Sequence, residues 1–160
     1  TMGVALADFD NDGDLDLLLA HANGAPQLWR NTAVEDGLGA WLKVRLQGTE
    51  GGSNSHGIGC MVEVHLEDGT ILKQHAYAGD GFLGSSDPSV HFGLGDQSIA
   101  EVKVKWSTGY IQSIGDVQVN SEIAVVEVLP PEPIDLSILV LILMTLILGQ
   151  LIWKSPQKSQ

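Results

Sequence analysis

Basic residues and cysteine are scarce in this sequence. Eight lysines and arginines stand against twenty aspartates and glutamates, for a formal net charge of −12. Nucleic-acid binding needs basic stripes, so this balance argues against nucleic acid and favours divalent cations and basic surfaces as partners. Cys60 is the single cysteine, which excludes an intrachain disulfide. Its setting in GIGCMVEV predicts a small buried core residue.

Catalytic signatures are also scarce. The five histidines are scattered, and none forms an H-x-x-x-H or H-E-x-x-H pair, so a zinc site is not indicated. Ser85 and Ser86, in GFLGSSD, lack the G-x-S-x-G elbow of a serine hydrolase. Asp80 and Asp87 flank the same glycine-rich loop and give either a second cation or sugar site or a solvated turn. We expect a protein that is not an enzyme. The alternative is an enzyme or enzyme-accessory protein, with its chemistry upstream of this chain or in the loop 79–96.

Aspartate, in contrast, is concentrated in one stretch, ADFDNDGDLDL at 7–17. Two unit charges about 4 Å apart repel by roughly 1 kcal/mol in water, so a turn that crowds carboxylates is unstable by itself. A bound calcium ion turns this repulsion into a net attraction, because it is held by about six to eight oxygen ligands. The spacing supplies carboxylates at alternate positions, and Gly13 permits the sharp reversal of the chain. We predict a calcium site whose side-chain ligands are Asp8, Asp10, Asp12 and Asp16, with Asp14 contributing its backbone carbonyl. The alternative is an acidic, solvated turn.

This loop is not an EF-hand. An EF-hand has a bidentate Glu at loop position 12 and a helix on each side, whereas Leu19 stands at that position here. The flanks TMGVALA and LDLLLAH are short apolar runs bounded by turn residues, which predicts strands. The chain begins directly on such a run, so we expect it to be the C-terminal piece of a longer protein.

Alternation continues through 41–129. WLKVRLQG places Leu42, Val44 and Leu46 on one face, and CMVEVHLEDG and EVKVKWSTG alternate in the same way. About seven short strands separated by turn signals predict a β-sandwich or a small barrel. The alternating basic residues are expected to form its solvated face.

The C-terminal end has a different character. LPPEPID marks a proline-rich linker at 130–135, and the run 136–153, LSILVLILMTLILGQLIW, carries no charge. Its length and the lysines that follow predict a transmembrane helix with a cytoplasmic tail at 154–160, so the β domains would lie on the extracytoplasmic side. Two alternatives stay open: a buried core helix, and a cleaved sorting signal of the PEP-motif type.

The segment GVALADFDNDGDLDLLLAHANGAPQLWRNT, at 3–32, resembles an FG-GAP/VCBS repeat, one blade of a calcium-binding β-propeller. The resemblance assigns the aspartates of the loop as calcium ligands. A propeller needs several blades, so the others are expected upstream of Thr1.

The following segment resembles the ASPIC/UnbV domain over about residues 41–128. WLKVRLQG, SNSHGIGCMVEV, AGDGFLGSSDPSVHFGLG and VKVKWSTGYIQSI carry the resemblance in their family order. Ser55, Cys60 and Ser107 depart from residues common in that family. The resemblance implies architecture more than mechanism.

These observations predict an all-β chain. A partial blade with a calcium loop occupies 1–40, a β-sandwich or barrel-like domain 41–129, and one transmembrane helix follows. The expected function is that of a calcium-binding surface protein in adhesion or matrix binding. Its expected partners are calcium, the lipid bilayer through 136–153, and an extracellular protein or glycan.

Overall fold

The structure, a computed structural model, describes residues 1–79, 84–131 and 136–153. The chain divides into a compact unit, Thr1–Leu129, and a second unit, Pro130–Gln160. All ten strands of the described residues lie in the first unit, and one helix lies in the second. The all-β prediction is therefore confirmed for the first unit. The predicted tail 154–160 and Asp80 lie outside the described residues, as does most of the predicted linker.

Three antiparallel strands form the N-terminal sheet: β1 (Gly3–Ala7), β2 (Asp16–Ala20) and β3 (Gln27–Trp29). Gly3 pairs with Ala20 at one end of the β1–β2 hairpin, and Ala7 pairs with Asp16 at the other. The predicted strands on either side of the aspartate loop are thus confirmed, and residues 8–15 join them. A propeller blade has four strands, whereas this sheet has three within the described residues.

Seven more strands follow: β4 (Ala40–Gln47), β5 (Met61–Leu66), β6 (Ile71–His75), β7 (Val90–Gly95), β8 (Ile99–Lys105), β9 (Ile111–Ile114) and β10 (Ser121–Val126). They form one sheet of order β10-β4-β7 and a second of order β6-β5-β8-β9. All pairs are antiparallel except β4 with β10, which run parallel from Leu42 opposite Ser121 to Gln47 opposite Val126. These two sheets are called the two-sheet domain below.

The core lies between the two sheets. Successive strand residues point to opposite faces, so every second residue of β4, β5, β7 and β8 turns inward. One cluster joins buried side chains of both sheets, among them Leu42, Val44, Leu46, Val62, Val64, Phe92, Val102, Val104 and Trp106. The predicted inward faces are confirmed, and so is burial of Cys60, which is fully enclosed in the same cluster.

Lys43 does not follow the predicted solvated face. Its neighbour Arg45 has an exposed side chain, but Lys43 is only 6 % exposed. Its Nζ lies 3.1 Å from Oδ2 of Asp87 and 3.7 Å from Glu122. A buried ammonium needs such partners, because burial of an unpaired charge is very costly. The prediction of a solvated face is right for Arg45 and wrong for Lys43.

The barrel-like alternative is wrong. Closure would require the edge strands of a sheet to pair with one another. In the part of the chain that the structure describes, both sheets are open. The edge strands are β10 and β7 in one sheet, and β6 and β9 in the other. The inner faces of two open sheets share the core instead.

The predicted transmembrane helix is also wrong. Helix α1 (Leu136–Trp153) has 18 residues. At 1.5 Å per residue it rises about 27 Å, less than the roughly 30 Å thickness of the hydrocarbon core of a typical bilayer. Among the described residues, no helix is both long and apolar enough to span a bilayer. The single-pass location inferred from this segment, with the bilayer as a partner, is corrected with it.

Candidate metal centre

The aspartate loop turns through two residues with positive φ. Asn11 has φ of 60° and Gly13 has φ of 97°, both in the left-handed region. Asn tolerates that region and Gly adopts it freely, so the sequence D-N-D-G suits the turn. Oδ1 of Asp12 accepts the N–H of Asp14 at 2.9 Å, a local bond that favours turns over regular structure. The loop therefore brings its two ends together at the head of the β1–β2 hairpin.

Three of the five predicted aspartates form a cluster that fits one cation. One carboxylate oxygen from each of Asp8, Asp10 and Asp16 lies within 4.8 Å of the others. Two oxygens bound to one calcium at about 2.4 Å lie at most about 4.8 Å apart, so the spacing suits this ion. Oδ1 of Asp8 is a buried atom with no hydrogen-bond partner among the described residues. A buried, unpartnered carboxylate oxygen is costly, and a bound cation would satisfy it.

Asp16 also has a structural role. It is only 3 % exposed, and its Oδ2 accepts the N–H of Phe9 at 3.0 Å. Its Oδ1 accepts the N–H of Asn31 at 2.8 Å. These bonds join the start of β2 to the second residue of the loop and to the segment after β3. Each carboxylate oxygen has a second lone pair for a cation.

Asp12 and Asp14 lie outside the three-carboxylate cluster. Asp14 is 7 % exposed, and its Oδ2 accepts the N–H of Val34 at 2.7 Å. Asp12 accepts Nη2 of Arg30 at 3.1 Å as well as the N–H of Asp14. The N–H of Asp14, reinforced by the Arg30 guanidinium, holds the pKa of Asp12 below its usual range. The structure thus separates the five aspartates into a cluster of three and a supporting pair.

Arg30 is a site residue that the spacing argument missed. Its guanidinium pairs with Asp10, Asp12 and Glu35. The Glu35 and Asp10 carboxylates raise the pKa of Arg30 above its ordinary value, so the group stays charged. The available signal was that Arg30 is the one basic residue of 1–40. A fixed positive charge at this position offsets part of the repulsion among the aspartates.

Strand β1 is hydrogen-bonded to the segment before β7 of the two-sheet domain. The N–H of Leu6 donates to Oγ of Ser86 at 3.0 Å, and the N–H of Asp87 donates to the carbonyl of Leu6 at 3.1 Å. A cavity of about 200 Å³ lies beside this contact, lined in part by Leu15, Tyr77 and His91. The hairpin and the two-sheet domain are therefore joined by hydrogen bonds two residues before Asp8.

Asp87, offered above as part of a second cation or sugar site, is engaged in an ion pair. Burial alone would raise its pKa, but hydrogen bonds from Ser89 and the Lys43 ammonium outweigh burial and lower the pKa. Its Oδ1 accepts the N–H of Ser89 at 2.9 Å, and its Oδ2 faces Lys43. This carboxylate pairs with Lys43 on the face of β4 that points away from the core.

The fold and the site define a class: acidic proteins in which a carboxylate-rich hairpin packs on a two-sheet β domain. The sequence model of the family described as ASPIC and UnbV matches residues 48–129, about half of the chain. The chain belongs to the ASPIC and UnbV family, and that predicted resemblance is confirmed.

Three curated relatives match a longer stretch. Cartilage acidic protein 1 from Xenopus tropicalis is 31 % identical over 122 residues, which are 74 % of this chain and 18 % of the relative. The proteins of that name from Mus musculus and Homo sapiens are each 30 % identical over 136 residues, 83 % of this chain and 20 % of the relative. The chain thus spans about a fifth of the length of the curated relatives it matches.

Proposed function

We propose that this chain is a calcium-stabilised part of an extracellular, matrix-associated protein with a role in adhesion. Asp8, Asp10 and Asp16 would hold the calcium ion. The observation that carries this proposal is the buried, unpartnered Oδ1 of Asp8 within a cluster of three carboxylates. The likeness of 3–32 to FG-GAP/VCBS repeats supports the same ion.

The donor set favours calcium over other metals. The cluster offers carboxylate oxygens, which suit hard cations, whereas zinc and copper sites rely on imidazole and thiolate. Magnesium demands near-octahedral geometry at about 2.0–2.1 Å and keeps several waters, so a cluster of three carboxylates suits it less. The backbone carbonyl of Asp14 would be a further ligand. When bound, the ion would neutralise the loop and join its two ends.

Charge and relatives support the matrix association. The formal net charge of −12 favours basic protein surfaces as partners and disfavours polyanions. The relatives carry the name cartilage acidic protein, and cartilage is a tissue rich in extracellular matrix. The proposed partner is a basic patch on an extracellular protein, with a neutral glycan as the alternative.

The enzyme alternative gains no support from residues 79 and 84–96, the part of the loop 79–96 that the structure describes. Oγ of Ser86 accepts the N–H of Leu6, Asp87 pairs with Lys43, and His91 donates to the hairpin. Ser86 and His91 thus join the hairpin to the two-sheet domain, and Asp87 pairs with Lys43 inside that domain. The printed names of the three relatives are not those of enzymes.

Thermal unfolding of the full chain with calcium or chelator tests the metal proposal. A ligand that binds only the folded state at a hundredfold excess over its dissociation constant stabilises by about 2.7 kcal/mol. Asp8→Asn should weaken calcium binding at least tenfold in calorimetry. Glu50→Gln is the matched control, since it removes one exposed charge elsewhere and should bind like wild type. Identical melting with calcium and with chelator would falsify the proposal.

Surface binding tests the partner class. The calcium-loaded chain should be retained on an immobilised lysine-rich peptide at about 0.15 M salt and released at about 1 M, where the Debye length falls to about 3 Å. A sulfated glycan surface is the matched control and should not retain it. Equal retention on both surfaces would rule out the basic partner.

A further inference from the structure

We propose that Trp41 and His91, on the two-sheet domain, are positioning residues that hold the aspartate loop in its cation-binding shape. Neither residue belongs to the carboxylate cluster. The inference rests on the proposed calcium function, since it names what sets the affinity of that site. It extends the site from the hairpin to a second part of the fold.

Gly13 packs directly against the indole ring of Trp41. A Cβ added at Gly13 would lie 2.0 Å from Cε2 and 2.1 Å from Nε1 of Trp41. A backbone position with φ of 97° already favours glycine. Glycine is thus required twice here, once for the turn and once for close approach to the ring. The centre of the loop therefore rests on the side chain of a neighbouring sheet.

His91 fixes the orientation of one peptide group in the loop. Its Nε2 lies 2.7 Å from the carbonyl oxygen of Gly13. A carbonyl oxygen only accepts, so Nε2 of His91 carries the hydrogen and donates it. The same peptide group donates its N–H, that of Asp14, to Oδ1 of Asp12 at 2.9 Å. One peptide plane is therefore held at both ends, directly before the carbonyl that Asp14 would offer to calcium.

Trp41 and His91 are themselves held rigidly. Their rings stack with centroids 6.2 Å apart and planes 12° apart. Trp41 pairs across the strands with Gly93, which has no side chain, so the indole has room to reach toward His91. The backbone of Trp41 is fixed on its other side by Asn120, which accepts its N–H at 3.1 Å and donates to its carbonyl at 2.8 Å. The two rings form a firm support because the sheet holds them.

Such a support affects binding through entropy. A free aspartate loop must lose backbone freedom when it gathers around an ion, and that loss opposes binding. A loop whose central peptide is already oriented loses less. The two-sheet domain should therefore raise the calcium affinity of a site to which it contributes no ligand.

The test compares variants of His91 in the full chain. His91→Leu keeps a side chain of similar size but removes the donor, so calcium affinity measured by calorimetry should fall about tenfold, the value of one ordinary hydrogen bond. His91→Gln retains an N–H donor and should recover part of the affinity. Trp41→Phe keeps a ring of smaller area and should give a smaller loss. His65→Leu is the matched control, because His65 lies on β5 and pairs with Glu63. Its calcium affinity should equal that of wild type.

Amide hydrogen exchange separates this inference from the calcium proposal. In chelator, the Asp14 amide should exchange faster in His91→Leu than in wild type, while amides of β5 keep their protection. If wild type binds no calcium, the proposed function fails, and the exchange rate of Asp14 still decides whether His91 positions the loop. The inference is overturned if His91→Leu matches wild type in both affinity and Asp14 exchange, or if His65→Leu loses as much affinity.

Discussion

Asp14 has a side-chain role that is distinct from metal binding. Its carboxylate is buried and accepts the N–H of Val34, twenty residues along the chain. Removal of one partner from a buried hydrogen bond typically costs about 1–3 kcal/mol. Asp14 therefore ties the loop to the segment after β3 whether or not a metal is bound.

Asp14→Ala should lower the free energy of unfolding in chelator by about 1–3 kcal/mol, because the N–H of Val34 loses its acceptor. Its calcium affinity should fall far less than that of Asp8→Ala or Asp10→Ala, because the backbone carbonyl of Asp14 is retained whereas Asp8 and Asp10 belong to the carboxylate cluster. Urea unfolding in chelator and calorimetry with calcium give the two quantities. The assignment fails if Asp14→Ala and Asp10→Ala lose equal affinity.

Arg30 opposes the charge of the incoming ion. Its guanidinium contacts Asp10 and Asp12, so its positive charge repels any cation bound near them. Arg30→Gln should therefore raise calcium affinity several-fold, most clearly at low salt. Arg45→Gln is the control, since Arg45 pairs with Glu122 on the two-sheet domain. Calorimetry at two salt concentrations measures the effect, and weaker binding by Arg30→Gln would show that Arg30 supports the bound loop instead.

Glu127 is a buried carboxylate that joins three segments. It accepts the N–H of Ser53 at 2.6 Å, the hydroxyl of Ser53 at 3.0 Å and the hydroxyl of Thr108 at 3.1 Å. Burial alone would raise its pKa, but these hydrogen bonds outweigh burial and lower the pKa. The ionised form of Glu127 thus joins the end of β10 to the loops that contain Ser53 and Thr108.

Glu127→Gln should destabilise the first unit by about 1–3 kcal/mol at pH 7, because the amide presents N–H groups to existing donors. The pKa of Glu127 is lowered on folding, so its contribution is present above the unfolded value of about 4.3 and lost as pH falls through the folded value. In the variant, the free energy of unfolding should lack the part of its pH dependence that the ionisation of Glu127 contributes. Unfolding measured from pH 2 to 7 checks this, and an unchanged pH profile would contradict it.

At the scale of elements, β4 organises the two-sheet domain. It pairs with β7 on one side and β10 on the other, and both of its faces carry buried residues. The loop before β5 also packs on it, because a Cβ added at Gly57 would lie 2.6 Å from Cβ of Leu46. Gly57 of SNSHGIGC is thus explained by close approach as well as by its φ of 61°.

Two glycines of this loop form a matched pair. Gly57 has φ of 61° and a Cβ added there would meet Leu46, whereas Gly59 has φ of 90° and a Cβ added there would meet open space. Gly59→Ala should cost only the left-handed backbone penalty, about 1–2 kcal/mol. Gly57→Ala should cost that and a further 1–3 kcal/mol or so from overpacking. Denaturant unfolding measures both, and equal losses would show that β4 tolerates the added methyl group.

At the scale of the whole molecule, the hairpin and the two-sheet domain form one compact unit, Thr1–Leu129. The buried core nevertheless lies entirely between Leu42 and Val125. A protein with this division should keep its fold without the hairpin but lose the stability that the hairpin contacts add. The predicted boundary between 40 and 41 stays a prediction that truncation can test.

The fragment 41–129 should unfold cooperatively, with a strand-dominated circular dichroism spectrum and a lower melting temperature than 1–129. Its stability should fall because Trp41 and His91 lose their contact with Gly13, and Ser86 and Asp87 lose Leu6. Scanning calorimetry of the two fragments measures the difference. A disordered fragment would refute the predicted boundary, and an unchanged melting temperature would refute the energetic role of the hairpin.

The sequence by itself determined the features that depend on neighbouring residues. Alternation with period two identified the inward faces of β4, β5 and β8, because strand geometry sends successive side chains to opposite sides. The spacing D-N-D-G located the turn, because Asn11 and Gly13 adopt positive φ there. Both patterns are local, so they can be read without knowledge of the fold.

Only the tertiary structure decided what lies against those local elements. Lys43 is buried because Asp87, forty-four residues along the chain, covers the outer face of β4. The five aspartates divide into a cluster and a supporting pair because Arg30, Asn31 and Val34 return to the loop. Likewise, Gly13 meets Trp41 and His91 through contacts far apart in sequence. Period-two alternation indicates which face of a strand is apolar, but it does not indicate which distant segment will cover the other face.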